Sequence, residues 1–266
     1  MNAPADRPFA GRRVLAIVAH PDDESLACGG TLARCADAGA EVRVLSVTRG
    51  GAGQGQRDRR RPLGEIRRQE LDDAAAALGI ATPILLDHPD GDLRAVRPER
   101  LRDDILDAIR HDRPDVVITF GADGLYWHPD HIVVHEQVTG AVTRVGTRPP
   151  ALFYVTMPAG MMRRVLNAAA AAPGAPAELS FWGLDPDAFG AHAEPPTLAV
   201  DVRASAARKL AAIRCHRTQI DRHSPFAWLT EQQATDLVGV EHFHRAAVGF
   251  QGRTFFEDLM SPSAPA

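Results

Sequence analysis

The stretch Val14-Leu-Ala-Ile-Val-Ala19-His20-Pro21-Asp22-Asp23-Glu24 decides how this chain folds. Its first six residues are apolar without alternation, the pattern of a strand covered on both faces and therefore of the interior of a parallel sheet. The run then breaks onto an imidazole and three carboxylates within one turn. In open α/β sheets the carboxyl ends of the strands are where ligands bind. Charges crowded at such an edge lose solvent, and without a cation or dense hydrogen bonding their pKa values shift until they neutralise.

A second cluster, His128-Pro129-Asp130-His131, follows another apolar run, Val116 to Phe120, across a short loop. Parallel strands joined by crossover helices all end on the same side of the sheet, so the two clusters can converge on one point. Nitrogen and oxygen donors in this mixture suit zinc, with iron or manganese as alternatives.

Around these runs the pattern predicts alternating helices and strands. Ser25 to Ala38 reads as a helix closed by Gly39, Glu41 to Thr48 as a strand, and Glu65 to Leu78 as a helix ended by Gly79. Ile84 to Leu86 follows as a short strand, Leu101, Ile105 and Ile109 mark a helix, and Asp115 to Phe120 is the strand behind the second cluster. His131 to about Val145 is a helix whose stripe of Val134, His135 and Val138 faces the core, which makes His135 a packed or supporting histidine rather than a ligand. Leu152 to Thr156 and Thr197 to Val202 read as further strands, and Ala204 to His216 as a helix. Met157 to about Pro196, rich in Ala, Gly and Pro, reads as an excursion over the site, and beyond Pro225 the signals are weak. The sum is an α/β fold: a Rossmann-like, mostly parallel sheet flanked by helices in three layers. It forms one domain over 1–266, with a core at about 13–156 and carboxyl-terminal embellishments at about 157–260.

Two loops stand out. Arg49 to Pro62 is long, glycine-rich and arginine-rich, and its Gly51-Ala-Gly53-Gln-Gly55 lacks the strand-to-helix context that a dinucleotide site requires. Asp87 to Asp92 is a polar turn at the same sheet edge, where Asp90 or Asp92 either touches substrate or simply shapes the turn.

With 266 residues, a formal net charge of −4 and only Arg57 to Arg61 as a basic run, the chain has no nucleic-acid footprint. No apolar run is long enough for a bilayer and Met1 to Ala10 has no signal-peptide core, so a cytoplasmic protein without membrane insertion is expected, free to form homo-oligomers. The cysteines Cys28, Cys35 and Cys215 lack C-x-x-C spacing and read as reduced packing residues. Cys28 lies near the first turn of a helix, where a thiol pKa can fall.

The pairing of Ala19-His-Pro-Asp-Asp-Glu24 with His128-Pro-Asp-His131 resembles the LmbE-like, or PIG-L, family of zinc-dependent de-N-acetylases. The resemblance extends over about Arg13 to Val145, through Arg67-x-x-Glu70-Leu71, and to Lys209…His216-x-x-Gln219. It implies His20, Asp23 and His131 as ligands of one Zn²⁺ per chain, with Fe²⁺ as the alternative. It also implies Asp22 as general base and His128, protonated, facing the reacting carbonyl. Tyr126 falls near the oxyanion and Arg67 near substrate hydroxyls, and Asp90 is the third residue expected to meet substrate. The implied reaction is metal-assisted hydrolysis of an N-acetyl group on an amino sugar or small glycoside. A larger amide such as a thiol conjugate, or sugar binding without turnover, is the alternative. The loop Thr48-Arg49-Gly50-Gly51 departs from the family's Thr-x-Gly-Glu pattern, with glycine where a carboxylate is frequent.

Overall fold

The computed structural model describes residues 7–53 and 60–259. Strand β1 (Arg13–Val18) is followed by α1 (Asp23–Asp37), β2 (Glu41–Thr48), α2 (Leu63–Leu78), β3 (Ile84–His88), α3 (Pro98–Asp112) and β4 (Val116–Phe120). Then come the four-residue turn of helix α4 (Gly124–Trp127), α5 (Pro129–Val142), β5 (Ala151–Thr156) and α6 (Met161–Ala170). The chain closes with β6 (Leu198–Asp201), α7 (Ala206–Cys215), α8 (Glu231–Val238) and β7 (Val240–Gly249).

These strands form one seven-stranded sheet in the order β3-β2-β1-β4-β5-β7-β6. The first five pair in parallel, and β7 runs antiparallel to both β5 and β6. Helices α1, α2 and α7 pack together on one side and α3 with α5 on the other, giving the three layers. The apolar runs are buried as their lack of alternation requires: β4 and β5 are buried at every residue and β1 at all but Arg13. From β1 the chain steps outward through β2 and β3, then returns to place β4 on the other side of β1. The strand order therefore reverses between β1 and β4, and a crevice opens there at the carboxyl ends.

Three elements run against the sequence expectation. The segment after Met157 contains α6, which buries Met161, Met162, Val165 and Ala169. With Phe181, Phe189, Leu210, Ile213 and Phe226 these form a second apolar cluster, so the excursion is a packed cap with its own core. Helix α8 begins with a capping box between Thr230 and Gln233. The long strand β7 was hidden because its inward positions include Glu241 while half-buried His242 and His244 point outward, which blurs the period-2 contrast. The embellishments thus supply two strands of the sheet.

Glu241 is buried on purpose. Its carboxylate accepts Gly30 N–H at 2.9 Å, Thr31 N–H at 2.8 Å and the Lys209 ammonium at 2.6 Å. These bonds catch α1 just beyond Cys28, whose φ of −148° breaks the helix. The reactive Cys28 is corrected: burial, with Glu241 nearby, pushes its thiol well above the ordinary value. All three cysteines are unpaired thiols. The basic run Arg57 to Arg61, the glycine pattern through Gly55 and the first residues of Met1 to Ala10 lie wholly or partly outside the described residues. No helix among the described residues is long and apolar enough to cross a membrane.

Candidate metal and active site

Both motifs sit at the switch point. β1 delivers His20, Asp22 and Asp23, and β4, through α4 and the start of α5, delivers His128, Asp130 and His131. The turns that carry them are strained: Asp22 after β1 has φ 131°, and Leu125 and Trp127 after β4 have 65° and 64°, values that L-residues rarely adopt. Strain of this kind persists where surrounding structure over-determines it, and Asp22 shows how: its N–H donates to Glu24 Oε2 at 3.0 Å, while Glu24 Oε1 is held by Ser25 Oγ at 2.6 Å and His216 Nε2 at 2.9 Å. Glu24 and His216 are both fully buried, and burial of His216 is outweighed by the Glu24 charge, which raises its pKa.

His131 is completely buried, stacked on Phe120 with ring centroids 4.0 Å apart. Its Nδ1–H donates to Gly124 O at 3.2 Å, leaving the Nε2 lone pair 3.2 Å from Asp23 Oδ1. His20 Nδ1 lies 3.3 Å from Asp23 Oδ2 and 3.4 Å from His131 Nε2. On its far side His20 Nε2 faces Asp90 Oδ1 at 3.1 Å and Asp130 Oδ2 at 3.3 Å. Asp130 is itself fixed by Gly91 N–H at 2.8 Å and Leu93 N–H at 3.1 Å.

This donor set fits a metal ion. The Asp23 carboxylate, His20 Nδ1 and His131 Nε2 stand 3.2–3.4 Å apart. Bonds of about 2.0–2.2 Å to a tetrahedral ion set neighbouring donors about 3.3–3.6 Å apart, close to these pairwise spacings, which Asp23 makes through Oδ1 to His131 and through Oδ2 to His20. Two other groupings, His20 with His128 and His131, and His20 with Asp90 and Asp130, bring their atoms within 4.8 Å. They fit less well, because His128 Nδ1 accepts the Asp130 N–H and both Asp130 oxygens are occupied by backbone amides, whereas in Asp23 only Oδ2 accepts one, from His20 N–H at 2.8 Å. The electrostatics agree. Burial pulls the His20 pKa down, yet the carboxylates of Asp130, Asp23 and Asp90 raise it well above the ordinary value. Burial raises Asp23, but His131 and His20 hold it well below the ordinary value. The site is a negative nest that calls for a cation. A histidine donating its outer N–H to carboxylates is also the usual way of orienting a metal-binding imidazole.

The cavity beside this triangle has a volume of about 300 Å³. His20, Asp22, Asp23, Arg67, Asp90, Tyr126 and His128 all line it, while His131 lies behind them. Asp22 is pushed up to about 6 by burial, against the Arg67 charge and with Asp23 adding to the rise. Arg67 Nη2 is 3.1 Å from Asp22 Oδ1 and donates to Pro21 O at 2.6 Å, while its Nη1 donates to Gly50 O at 3.0 Å. Nη2 is thus spent on the Asp22 turn and Nη1 on the loop after β2, while the buried Nε has no hydrogen-bond partner among the described residues. His128 is driven down to about 4 by burial and the charges of His131 and His20. The protonated form expected from the sequence is therefore not the one this environment favours; a neutral ring with Nδ1 accepting leaves the proton on Nε2. Asp92 is exposed and outside the cavity wall, so of the two acids in its turn only Asp90 reaches the site. His135 is a packed residue whose Nδ1–H donates to Phe120 O at 2.9 Å.

Sequence reading gave no role to Asp130, although it sits between two named histidines, nor to the wall built by Trp182, Leu184, Ile213, Gln219, Ile220 and Phe226. Asp130 could have been found from its place in the motif. The wall residues carry no local pattern, because they come from the cap and meet only in space.

The profile of the PIG-L family, described as GlcNAc-PI de-N-acetylase, matches residues 15–142. A 1D-myo-inositol 2-acetamido-2-deoxy-alpha-D-glucopyranoside deacetylase of Mycobacterium sp. (strain KMS) is 35% identical over 87% of this chain and 82% of its own length. Among solved structures, the N,N'-diacetylchitobiose deacetylase of Pyrococcus horikoshii superposes with a TM-score of 0.62 at 22% identity, covering 88% of this chain and 84% of that one. The 4-carboxy-2-hydroxymuconate hydratase GalB of Pseudomonas putida KT2440 superposes with a TM-score of 0.63 at 18% identity, covering 91% and 99%. Both likenesses show the shared fold.

Proposed function

As this chain belongs to the PIG-L (LmbE-like) family, we propose that it hydrolyses the N-acetyl group of a small amino-sugar glycoside, releasing acetate and the free amine. The relative named above acts, by its name, on a 2-acetamido glucoside of inositol, and its match to 87% of this chain is longer than the 15–142 stretch of the family profile. The observation that carries the reading is the triangle of Asp23, His20 and His131 with Asp22 and His128 beside it in one cavity. Those three residues would hold one zinc ion, or iron. When bound, such an ion polarises a carbonyl oxygen and makes water acidic near neutral pH.

The chain's own groups do the rest. Asp22 Oδ1 is pinned by Arg67, and the carboxylate keeps 20% of its side-chain surface open toward the cavity. It takes the proton from the attacking water and returns it to the nitrogen as the C–N bond breaks. His128, anchored through Nδ1 to the Asp130 N–H, presents Nε2–H to the carbonyl oxygen as charge develops there. Tyr126, its ring 5.7 Å from that of His128, closes the wall on the same side.

A panel of N-acetyl glycosides, an N-acetyl peptide and an unsaturated carboxylic acid tests the reading on the zinc-loaded protein. Equal amounts of acetate and sugar amine are expected. Faster peptide cleavage, or hydration of the unsaturated acid without amine release, would replace it, the latter being the reaction of the hydratase with this fold.

A further inference from the structure

Among the described residues five non-glycines have positive φ: Asp22, Arg113, Leu125, Trp127 and Trp182. Arg113 is the left-handed end of α3. Asp22, Leu125 and Trp182 line the cavity. Trp127 lies between two wall residues, Tyr126 and His128, yet is absent from the wall itself. Its side chain is 54% exposed, one of two large apolar residues so exposed among those described. A tryptophan at φ 64° gains neither burial nor an easy backbone, so folding alone does not account for it.

We propose that the Trp127 indole is the platform on which the aglycone ring of the substrate glycoside stacks, an inference that rests on the deacetylation reading above. A cavity of about 300 Å³ is at the small end for a ligand site and suits one sugar ring with its acetyl group. Whatever is joined to that sugar must emerge over the rim. Consecutive Cα atoms are about 3.8 Å apart, which keeps Trp127 within one step of the wall on both sides. An exposed indole offers a flat apolar face with a polar edge, suited to the face of a saturated polyhydroxylated ring. The position is held within the turn, where the Trp127 backbone N–H donates to Asp123 O at 2.8 Å, and from the cap, where the His192 ring stands 5.5 Å away at 60° and Gly190 N–H donates to Leu125 O at 2.9 Å. Gly190 itself has φ 71° and no room for a side chain, since a Cβ there would come 1.9 Å from Met157 O. The cap thus fixes the turn that carries the platform.

The test compares the methyl and cyclohexyl α-glycosides of N-acetylglucosamine, which differ only in a ring on the aglycone, using the zinc-loaded enzyme. Steady-state kinetics are paired with calorimetric binding of the two corresponding amine products. The native protein should favour the cyclohexyl compounds about fivefold to tenfold in KM and Kd. Trp127→Ala should abolish that preference with kcat for the methyl glycoside within about twofold, and Trp127→Phe should restore most of it. A preference that survives Trp127→Ala, or none in the native protein while the methyl glycoside is turned over, overturns the platform alone. Binding and turnover of neither compound overturns the platform together with the deacetylation reading.

Discussion

The two walls of the cavity are built in opposite ways. The polar wall comes from two short motifs at the ends of β1 and β4, joined by Arg67 and Asp90, and its members touch through hydrogen bonds of fixed geometry. The apolar wall comes from the cap, whose Trp182, Leu184, Ile213 and Phe226 arrive from separate turns and helices and rest on a second apolar cluster. One wall is a set of atoms whose identity matters, the other a surface whose shape matters. Substitutions should therefore separate them: on the polar side chemistry fails while the fold persists, and on the cap side the fold or the fit suffers first.

The largest effect is expected at Asp22. Asp22→Asn removes the proton acceptor but preserves size, and kcat should fall about 10²–10⁴-fold with zinc content near that of the native protein. Elemental analysis beside the rate decides it: near-full turnover with metal bound would take the role of base away from Asp22. His20→Ala is the companion, expected to lose the metal itself.

Next is the support of the cap side. Lys209 and Glu241 are an ion pair with side chains 3% and 2% exposed, and removing one partner of a buried pair costs about 3–5 kcal/mol. Lys209→Met should sit at the lower end, because Glu241 keeps its bonds to Gly30 and Thr31. Denaturant unfolding measures it, and Lys209→Met combined with Glu241→Gln should recover much of the loss. A single variant as stable as the native protein would show that the pair does not hold the cap helix α7 to the sheet.

Asp130→Asn sharpens the comparison from the other direction, since Asp130 touches the histidine and not the proposed metal. Outer partners of metal-bound histidines are worth about 10–100-fold in affinity. A zinc competition titration should show a loss in that range with the unfolding midpoint of the zinc-free protein little changed. A change in stability without a change in zinc affinity would make Asp130 a fold residue.

The smallest effect concerns the thiols. Burial pushes Cys35 up to about 12 and raises Cys28 well above the ordinary thiol value, whereas Cys215 is only half-buried. A thiol reagent added to the folded protein should label Cys215 slowly and the other two only after denaturation. Early labelling of Cys28 would mean that α1 opens at its break.

By itself the sequence determined the parallel core and the position of the polar wall. An unalternating apolar run can be satisfied only between two layers, and a motif that ends such a run must lie at its carboxyl edge. His20, Asp22, Asp23, His128 and His131 were legible for that reason, their spacing being local. What only the tertiary structure decided is everything whose meaning depends on a distant partner. Glu241 reads as a surface acid until Lys209, Gly30 and Thr31 surround it, and His216 as an ordinary helix-end histidine until Glu24 reaches it across the fold. Asp130 lies inside a motif, yet its work on His20 appears only when β1 and β4 stand side by side. Between 157 and 196 only α6 repeats one buried face, and the other apolar side chains pack onto one another from many directions, which leaves the stretch as a whole with little periodicity. A helix or strand announces itself by repeating one contact, and a cap that shapes a cavity makes a different contact at nearly every residue.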